Sequence, residues 1–508
     1  MFASVLSGVV RGLESRMITV EADVTNGLPQ MQMVGYLSSE VREAQERVRS
    51  AMQNCHLSIR PMRVVINLSP ADIRKAGSGF DLPIAVALMI AYGYLPQSSV
   101  KDIFFAGELS LNGELNGIHG MLGLVEEARQ NGCRACIVPE DNAAEAAMVQ
   151  GIEVYGAFTL KEVFDHLSGS APLWKTIINI EEILQKTGQR GGPDFKDVKG
   201  QAMVRRAAEI AAAGRHNLLI SGPPGAGKSM IAKRIPSILP PVSADEALEI
   251  SRIHSVAGTL PPEGLVCERP FRMPHHTISV SGLAGGGMIP KPGEISLAHR
   301  GVLYLDEIPE FRSETIEILR QPMEDHAITI TRNVGTYVFP ADFMLVASRN
   351  PCKCGYYPDR SRCRCSEKDV RRYLQQISRP LLDRIDLHVT AEQVPFEDLQ
   401  EGAAGESSES IRARVEKAHA IQTERYKGTP YRFNGELDAN VLEKYCLLGE
   451  KEKNLMARIY EKKQLTARTY HKILKTARTI ADLEGKEEIE EKHLAEAALY
   501  RPDAAFGE

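Results

Sequence analysis

The chain has 508 residues, of which 43% are hydrophobic and 25% charged, and its formal net charge at pH 7 is -5. The length predicts several domains of a globular protein, and the slight acidic excess excludes a polycation, so any nucleic-acid binding must come from local basic surface. Because no apolar run approaches the ~20 residues of a membrane span and no basic segment precedes the N-terminal apolar run, we expect a cytoplasmic protein without membrane contact, whose nine cysteines are free or bind metal.

Residues 1–168 are predicted to form a mixed α/β domain. A β-branched run next to turn residues predicts a strand over 63–69, and a serine-led stretch of helical periodicity predicts a helix over 38–55. Residues 80–95 are mostly apolar, which indicates a buried helix. Glycine, serine and proline are frequent over 169–195, so we expect a linker there.

Residues 196–395 are predicted to form a second α/β domain with a mostly parallel sheet, because apolar strand-like runs alternate with helical stretches. The stretch NLLISGPPGAGKSM places a G-x4-G-K-S motif after an apolar strand and before a helix, which is the context of a phosphate-binding P-loop (Walker A). Lys228 is expected to reach the β- and γ-phosphates of ATP, and the Ser229 hydroxyl to bind Mg²⁺. A chance glycine-rich turn is the alternative. The other predicted cofactor-binding residues are Gly222, Pro223, Pro224, Gly225, Ala226 and Gly227.

The segment RGVLYLDEIPEF has the pattern of a Walker B motif, in which four apolar residues precede Asp306 and Glu307. Asp306 is expected to hold the hydration shell of Mg²⁺, and Glu307 to polarise the attacking water. Such a pattern is weak evidence alone, because any buried strand can end in two carboxylates. It becomes informative because a strong P-loop precedes it in the chain.

Four cysteines lie close together in RNPCKCGYYPDRSRCRCS, namely Cys352, Cys354, Cys363 and Cys365. In a reducing compartment this C-x-C-x8-C-x-C pattern can supply four thiolates for a tetrahedral, structural Zn²⁺. The C-x-C spacing is tighter than the usual C-x2-C, so free thiols in a turn-rich loop and a redox-active group are alternatives. Zinc would brace a loop too polar to fold alone.

The last part of the chain is predicted to be helical. Residues 396–410 are small and polar, which indicates a second linker, and residues 411–508 are rich in Lys, Glu, Leu and Ala with helical spacing. We therefore expect a small all-α domain at the C-terminus.

Several phrases, together with the two nucleotide motifs, resemble the ComM/YifB family of magnesium-chelatase-like AAA+ ATPases. The phrases are RPFRMPHHTIS, PKPGEISLAHRGVLYLDE, NPCKCGYY, ISRPLLDRIDLHV and KILKTARTIADLEG. The resemblance covers nearly the whole chain. It implies an AAA+ core with a parallel sheet, a C-terminal helical lid and an N-terminal Lon-protease-like α/β domain.

The same resemblance implies roles for polar residues around the nucleotide. Asn350 corresponds to sensor 1, which positions the lytic water, and Arg468 to sensor 2, which reports the γ-phosphate to the lid. Arg384 corresponds to an arginine finger that reaches the ATP of a neighbouring subunit, with Arg379 as the weaker candidate. An ion pair with Asp383 or Asp386 is the alternative for Arg384.

Two segments resemble the hairpins that project into the pore of ring-shaped motors in this clade and touch DNA. Residues 326–343 are similar to the presensor-1 hairpin and residues 274–294 to the helix-2 insertion. Arg332 and Lys291 are therefore the candidate DNA contacts. Binding through phosphate contacts should fall steeply with salt.

The N-terminal region resembles a Lon-type protease domain that lacks its catalytic pair. By the motifs RKAGSGFDLPIAVALM and FAGELSLNGELNGIHG, Gly79 stands at the serine position and Leu122 at the lysine position. Ser78 and Lys75 are near but displaced, and a shift of one residue at a helix start re-aims a side chain by about 100°. We expect a domain without proteolytic activity that serves ring assembly, DNA binding or partner binding.

Two smaller patterns have structural interpretations. The CRAC segment, with Cys133 and Cys136, leads into an apolar strand and is expected in the core rather than in a metal or redox site. His275 and His276 are adjacent, so their side chains should point apart in an extended segment. We expect DNA contact or structural hydrogen bonding from them rather than a two-histidine metal site.

The resemblance implies an ATP-driven ring motor, a hexamer in this family, that acts on single-stranded or branched DNA as a branch-migration helicase during homologous recombination of incoming DNA. Two alternatives remain open. A metal-chelatase motor subunit shares the ATPase core but lacks the fused Lon-like domain. An ATP-dependent protein remodeller or protease would use the N-terminal domain, but the missing serine–lysine pair argues against proteolysis.

Overall fold

A computed structural model of the chain describes residues 1–187, 192–332, 335–394 and 405–501. Its N-terminal part is built on an eight-stranded mixed sheet and a small hairpin. The strands are β1 (Phe2–Arg11), β2 (Glu14–Thr25), β3 (Gln30–Val34), β4 (Arg63–Ser69), β5 (Ile103–Phe105), β6 (Glu108–Leu109), β7 (Leu115–Asn116), β8 (Ala135–Pro139), β9 (Glu153–Ala157) and β10 (Lys175–Thr176). The sheet order is β10-β9-β8-β5-β1-β2-β4-β3, and β6 pairs with β7.

Six helices accompany this sheet. They are α1 (Ser39–Asn54), α2 (Asp81–Ala91), α3 (Met121–Gln130), α4 (Glu140–Ala146), α5 (Leu160–Ser168) and α6 (Ile180–Thr187). Every residue of α2 is buried, including Asp81 at its start, whose carboxylate accepts a 2.6 Å hydrogen bond from Arg47 Nε. The predicted strand over 63–69 and the helices over 38–55 and 80–95 are confirmed as β4, α1 and α2.

The segment over 169–195, predicted as a linker, carries secondary structure where the structure describes it. β10 extends the N-terminal sheet by pairing antiparallel with β9, and α6 follows it. The apolar side chains of α6 pack into a cluster with the next part of the chain. The segment is therefore an ordered connection between the two parts of the chain where it is described, although its composition is rich in glycine and serine.

The second part is built on a five-stranded, all-parallel sheet, as the sequence predicts for an AAA+ core. Its strands are β11 (Leu218–Ser221), β12 (Phe271–Arg272), β15 (Val302–Leu305), β18 (Met344–Arg349) and β19 (Leu387–Thr390). Their order is β12-β15-β18-β11-β19. The carboxyl ends of parallel strands meet at one edge, so residues that follow β15, β18 and β11 come together there.

Ten α-helices and two hairpins accompany this sheet in the described ranges. The helices are α7 (Ala202–Gly214), α8 (Lys228–Ala232), α9 (Ile235–Ile238), α10 (Ala244–Ala257), α11 (Val280–Ala284), α12 (Glu294–Leu297), α13 (Ser313–Glu317), α14 (Pro322–Asp325), α15 (Glu367–Leu374) and α16 (Arg379–Leu382). The hairpins are β13 (Gly285–Gly286) with β14 (Lys291–Pro292), and β16 (Ala327–Arg332) with β17 (Gly335–Pro340).

The C-terminal part is helical, as predicted. Its helices are α17 (Ser408–Arg425), α18 (Leu442–Tyr445), α19 (Glu450–Lys462), α20 (Ala467–Leu483) and α21 (Glu491–Leu499). Most of the predicted linker over 396–410 lies outside the described residues, and α17 begins within it. The helices dock on β19, where the His388 N–H donates a 2.9 Å hydrogen bond to the Tyr500 carbonyl. Within the described ranges, no helix has the length and apolarity to cross a membrane.

A buried carboxylate holds the helical part together. Asp482 on α20 is fully buried and accepts hydrogen bonds from both Nη atoms of Arg425, at 2.7 and 2.6 Å. Arg478 Nε at 3.2 Å and Asn434 Nδ2 at 2.8 Å also donate to it. The carboxylate therefore neutralises the charges of two arginines from different helices, Arg425 at the end of α17 and Arg478 on α20.

We expect Asp482→Ala to lower the free energy of unfolding by about 3–5 kcal/mol, because it leaves buried guanidinium groups without a counter-charge. Urea unfolding monitored by circular dichroism measures the change. Glu450→Ala is the matched control, since it removes the exposed ion pair with Lys453 and should cost less than about 1 kcal/mol. Equal losses in the two variants would contradict the assignment.

Candidate nucleotide-binding site

The phosphate loop, residues 222–227, connects β11 to α8 and is shaped by its glycines. Gly225 and Gly227 have φ angles of +79° and +80°, in the left-handed region that other residues rarely adopt. Gly222 lies against the chain after β19, where an added Cβ would be 2.5 Å from the Ala391 carbonyl oxygen. These glycines let the chain turn sharply from the strand into the helix, as a phosphate loop requires.

The ammonium group of Lys228 is held by the loop and by the neighbouring strand. Its Nζ donates to the carbonyl oxygens of Gly222 at 2.7 Å and Pro223 at 2.9 Å, and to Asn350 Oδ1 at 3.0 Å. Burial lowers the pKa of Lys228, while the carboxylates of Asp306 and Glu307 act in the opposite direction. The lysine therefore lies where the sequence places a phosphate ligand, next to both Walker B carboxylates.

Asp306 is the centre of a hydrogen-bonded cluster of hydroxyl groups. Ser229 Oγ donates to its Oδ2 at 2.9 Å, Tyr304 Oη donates to its Oδ1 at 2.8 Å, and Ser348 Oγ donates to the same Oδ1. Burial would raise the pKa of Asp306, but the hydrogen bonds from Ser348, Tyr304 and Ser229 outweigh it, so this pKa lies below its ordinary value. The result is an ionised carboxylate touching the P-loop serine.

The hard oxygen atoms of Ser229 and Asp306 suit Mg²⁺, which prefers carboxylate and hydroxyl oxygens. Their 2.9 Å separation shows that the two side chains already converge on one point. The donor set therefore fits the ion that the P-loop and Walker B motifs imply.

Glu307 and Asn350 complete the site. Glu307 has a left-handed backbone with φ +49°, a strained conformation for a residue with a side chain, and its N–H donates to Ser348 Oγ at 3.0 Å. Asn350 Nδ2 donates to Glu307 Oε1 at 3.3 Å while its Oδ1 accepts from Lys228. Because β18 lies between β15 and β11, Asn350 at its end bridges the Walker B carboxylate and the P-loop lysine.

Sequence reasoning missed Tyr304 and Ser348. Tyr304 lies two residues before Asp306 on β15, and Ser348 lies two residues before Asn350 at the end of β18. Side chains two residues apart on a strand share a face, so the spacing of Tyr304 and Asp306 was a usable indication that the hydroxyl assists the carboxylate. Ser348 contacts Asp306 and Glu307 across two neighbouring strands, which no local spacing indicates.

The described contacts of Arg384 and Arg468 are with residues outside the phosphate loop. Arg384 forms an ion pair with Glu324 and donates from Nη1 to the Pro380 carbonyl at 2.7 Å. Arg468 Nη1 is 3.8 Å from Asp383 Oδ2, and its side chain is 73% exposed. Neither aspartate expected beside Arg384 is its described partner. The finger and sensor 2 roles remain predictions.

The two candidate DNA-contact hairpins lie side by side. A Cβ added at Gly286 on β13 would be 3.6 Å from Nη2 of Arg332 at the end of β16. The turn between β1 and β2 contacts the second hairpin, because a Cβ at Gly12 would lie 2.9 Å from the Tyr337 ring. The N-terminal part thus supports the hairpin that carries Arg332, and residues 333–334 at its tip lie outside the described residues.

A cleft of about 600 Å³ separates the N-terminal sheet from the β13–β14 hairpin. Gly79, at the position predicted for a protease nucleophile, lines it together with the neighbouring Ser78 and with Lys291. Glu40 and Glu108 line the same cleft. The candidate DNA contact Lys291 therefore shares its surroundings with acidic side chains.

The position predicted for the protease lysine is buried in an interdomain contact. Leu122 is 4% exposed and packs in a hydrophobic cluster with Val242 and Ile250 of the ATPase part. Beside it, Ser255 Oγ of α10 donates to the buried carboxylate of Glu145, and the Gly120 N–H donates to the Ser255 carbonyl at 3.2 Å. This position thus joins the two parts of the chain.

The displaced residue Lys75 is also engaged elsewhere. Its ammonium donates to the Pro70 carbonyl oxygen, and burial lowers its pKa. None of the described hydrogen bonds joins Lys75 to Ser78. The predicted loss of proteolysis accordingly stays a prediction with geometric support.

Two predictions about smaller patterns have different outcomes. Cys133 and Cys136 are buried in the hydrophobic core, as expected, and burial raises the pKa of both thiols. The prediction that His275 and His276 point apart is wrong. The chain turns there, with the Ile278 N–H donating to the His275 carbonyl at 2.9 Å, and this turn brings the two rings to 4.1 Å.

Comparison with known proteins covers almost the whole chain. Three family models match: subunit ChlI of magnesium chelatase over residues 20–142, magnesium chelatase subunit ChlI over 194–399, and its C-terminal part over 405–501. The competence protein ComM of Haemophilus influenzae is 40% identical over 98% of this chain and 97% of its own length. The chain belongs to the ComM/YifB family of magnesium-chelatase-like AAA+ proteins.

Two further relatives match this chain, one over nearly its whole length and one over about a third of it. YifB of Salmonella typhimurium is 40% identical over 96% of this chain and 95% of its own length. Lon protease 2 of Bacillus subtilis is 24% identical over 34% of this chain and 35% of its own length. The predicted resemblance and fold class are therefore confirmed, and membership of this AAA+ family implies ATPase activity with ATP and Mg²⁺.

Proposed function

We propose that the protein is an ATP-driven ring motor that acts on branched or single-stranded DNA, as a branch-migration helicase in homologous recombination during natural transformation. The observation that carries the ATPase part is the network of Lys228, Asn350 and Glu307 across three neighbouring strands. Near full-length similarity to a competence protein supports the DNA part.

The residues around the phosphate loop divide the work of hydrolysis. Lys228 would exchange its loop carbonyl acceptors for phosphate oxygens, which are stronger partners for an ammonium. Glu307 would accept a proton from the attacking water, and Asn350, fixed between the two, would hold that water in line. Mg²⁺ held by Ser229 and Asp306 would neutralise charge on the β- and γ-phosphates.

A ring would explain why the candidate finger Arg384 contacts Glu324 rather than its own phosphate loop. Arg384 is 16% exposed and meets Glu324, which is 60% exposed, so the pair lies near the surface. In the proposed hexamer, this arginine would face the ATP of the adjoining subunit. Hydrolysis then requires subunit contact, and sensor 2 at Arg468 would couple it to the helical lid.

Zinc at the four cysteines would be a structural ion.

The adjacent hairpins supply the proposed DNA contact. The exposed Arg332 lies at the end of one hairpin, and Lys291 lies on the other. A ring would collect these basic side chains around a central pore, although the whole chain has a net charge of -5. Local basic surface then suffices for binding a polyanion.

We expect Arg332→Ala to weaken DNA binding to a similar degree for every DNA sequence. The plot of log K against log salt concentration should also become less steep, by about 0.9 for each subunit that loses a phosphate contact. Fluorescence anisotropy with a forked duplex at several salt concentrations measures both quantities. Arg458→Ala, an exposed arginine on α19, is the matched control and should leave the slope unchanged. Identical slopes for wild type and Arg332→Ala would contradict the contact.

The proposal as a whole is tested by ATP hydrolysis with and without forked or four-way DNA, followed by a strand-displacement assay. We expect stimulation by the branched substrates and displacement that depends on ATP. Absence of both would overturn the DNA-motor proposal. Stimulation by a protein substrate, or peptidase activity abolished by Ser78→Ala, would instead favour the remodeller or protease alternative.

A further inference from the structure

The four cysteines of the segment 350–365 converge on one point. Their sulfur atoms all lie within 4.8 Å of one another. Cys352 Sγ is 3.3 Å from Cys354 Sγ and 3.7 Å from Cys363 Sγ, and the latter two are 3.6 Å apart. With Zn–S bonds of ~2.3 Å, the edge of a tetrahedral tetrathiolate measures about 3.8 Å. The sulfur separations therefore approach those of a zinc site.

The surroundings of the sulfurs favour a closed metal site over free thiols. Cys352 and Cys363 are buried, and the Tyr357 N–H points at Cys352 Sγ from 3.4 Å, a contact that stabilises a thiolate. Val370 is the one other buried member of the described hydrophobic cluster around them, and Tyr356, Tyr357 and Leu374 pack against it partly buried. Residues 350–366 contain no helix or strand. So small a core does not order a loop of this length by itself, whereas a metal tetrathiolate supplies folding energy directly.

The loop that these cysteines organise forms a wall beside the phosphate loop. Gly355, with φ +87°, packs so closely on Pro224 that an added Cβ would lie 2.4 Å from its Cδ. Asn350, the partner of Lys228, begins the same loop. Tyr356 and Arg362 line a cavity of about 1010 Å³ that also reaches Gly222 and Pro223. A cavity of this size accommodates a nucleotide.

Further contacts lock the wall in place. The Arg362 guanidinium lies over the Tyr356 ring, 4.0 Å from its centroid, and donates from Nη1 to Gln393 Oε1 at 3.2 Å. The loop thus spans from the end of β18, across the P-loop, to the chain that follows β19. Any loosening of the sulfur cluster would move this wall relative to Lys228.

We infer that Cys352, Cys354, Cys363 and Cys365 bind one Zn²⁺ as a closed structural site, and that this ion fixes the wall against which the nucleotide binds. Loss of zinc should weaken nucleotide binding as well as release the loop. The effect on nucleotide affinity presupposes that ATP binds at the phosphate loop as proposed, whereas zinc binding itself does not.

Metal analysis of the full chain, produced with zinc in the medium, tests the site directly. We expect about one zinc per chain in wild type and in Cys55→Ser, and a loss of zinc in the double variant Cys352→Ser/Cys365→Ser. Cobalt exchanged into wild type should give the intense visible bands of a tetrahedral thiolate complex. Wild type without zinc, or a double variant that retains it, would overturn the site.

The wall is tested on wild type, so that misfolding of a variant does not confuse the result. Binding of a fluorescent ADP analogue is measured with zinc-loaded protein, after chelation, and after zinc is restored. We expect a loss of affinity of about tenfold or more on chelation, because an ordered wall becomes mobile, and recovery with zinc. Unchanged affinity would contradict the inference that zinc fixes the wall beside the nucleotide. No ADP binding by the zinc-loaded protein would refute the proposed nucleotide site and leave the zinc count standing.

Discussion

Glu307→Gln is expected to lower the rate of ATP hydrolysis by about 10²–10⁴-fold while leaving nucleotide affinity nearly unchanged. The amide keeps the size and the hydrogen-bonding reach of the carboxylate, including a contact with Asn350, but it cannot accept a proton from water. Lys228, Ser229 and Asp306, which would hold the phosphates and Mg²⁺, are not altered. Steady-state hydrolysis and equilibrium binding of an ATP analogue measure the two effects separately.

The matched control for this variant is Glu310→Gln, since Glu310 is an exposed carboxylate three residues further along the same segment. It should hydrolyse ATP at the wild-type rate. A Glu307→Gln protein that keeps more than about a tenth of wild-type activity would contradict the role of general base. A large loss of nucleotide affinity would assign Glu307 to binding instead.

Arg384→Ala is expected to lower ATP hydrolysis by about 10³-fold, because an arginine finger supplies positive charge to the transition state of the neighbouring subunit. Lys228→Ala should be inactive for a different reason, since it removes the phosphate ligand within its own subunit. The two defects lie on opposite sides of one interface. A mixed ring therefore contains some interfaces in which an intact finger meets an intact phosphate loop.

Mixing the two inactive variants should restore hydrolysis, with a maximum at intermediate ratios. Recovery would locate Arg384 in trans, and its absence in rings that demonstrably exchange subunits would contradict the finger. Glu324→Gln distinguishes a structural role, because it removes the ion-pair partner of Arg384 but leaves the guanidinium. If Glu324→Gln lost as much activity as Arg384→Ala, the ion pair rather than the finger would be the cause. Arg379→Ala tests the weaker candidate in the same way.

Local motifs were predictable because each is contiguous in sequence. A G-x4-G-K-S loop after an apolar strand requires left-handed glycines, and Gly225 and Gly227 adopt that conformation. Four cysteines within a short loop can approach one another without help from the rest of the fold. The membership of the family rested on longer phrases of the same kind.

Other features depended on which strands are neighbours. Ser348 reaches the Asp306 oxygen that Tyr304 also contacts only because β18 pairs with β15. The partner of Arg384 is Glu324, 60 residues away, rather than an adjacent aspartate. The close approach of the His275 and His276 rings follows from a turn that an extended segment would lack.

The sequence by itself indicated the nucleotide motifs of this protein, because their glycines, lysine and carboxylates act through backbone geometry and charge over a few residues. It also indicated the parallel sheet and the C-terminal helices, because apolar runs and helical spacing are local patterns. Only the tertiary structure decided how these pieces meet. It placed Asn350 between Lys228 and Glu307, buried Leu122 in an interdomain contact, and laid the cysteine loop on Pro224. Such contacts depend on strand order and packing between distant segments, which spacing along the chain does not encode.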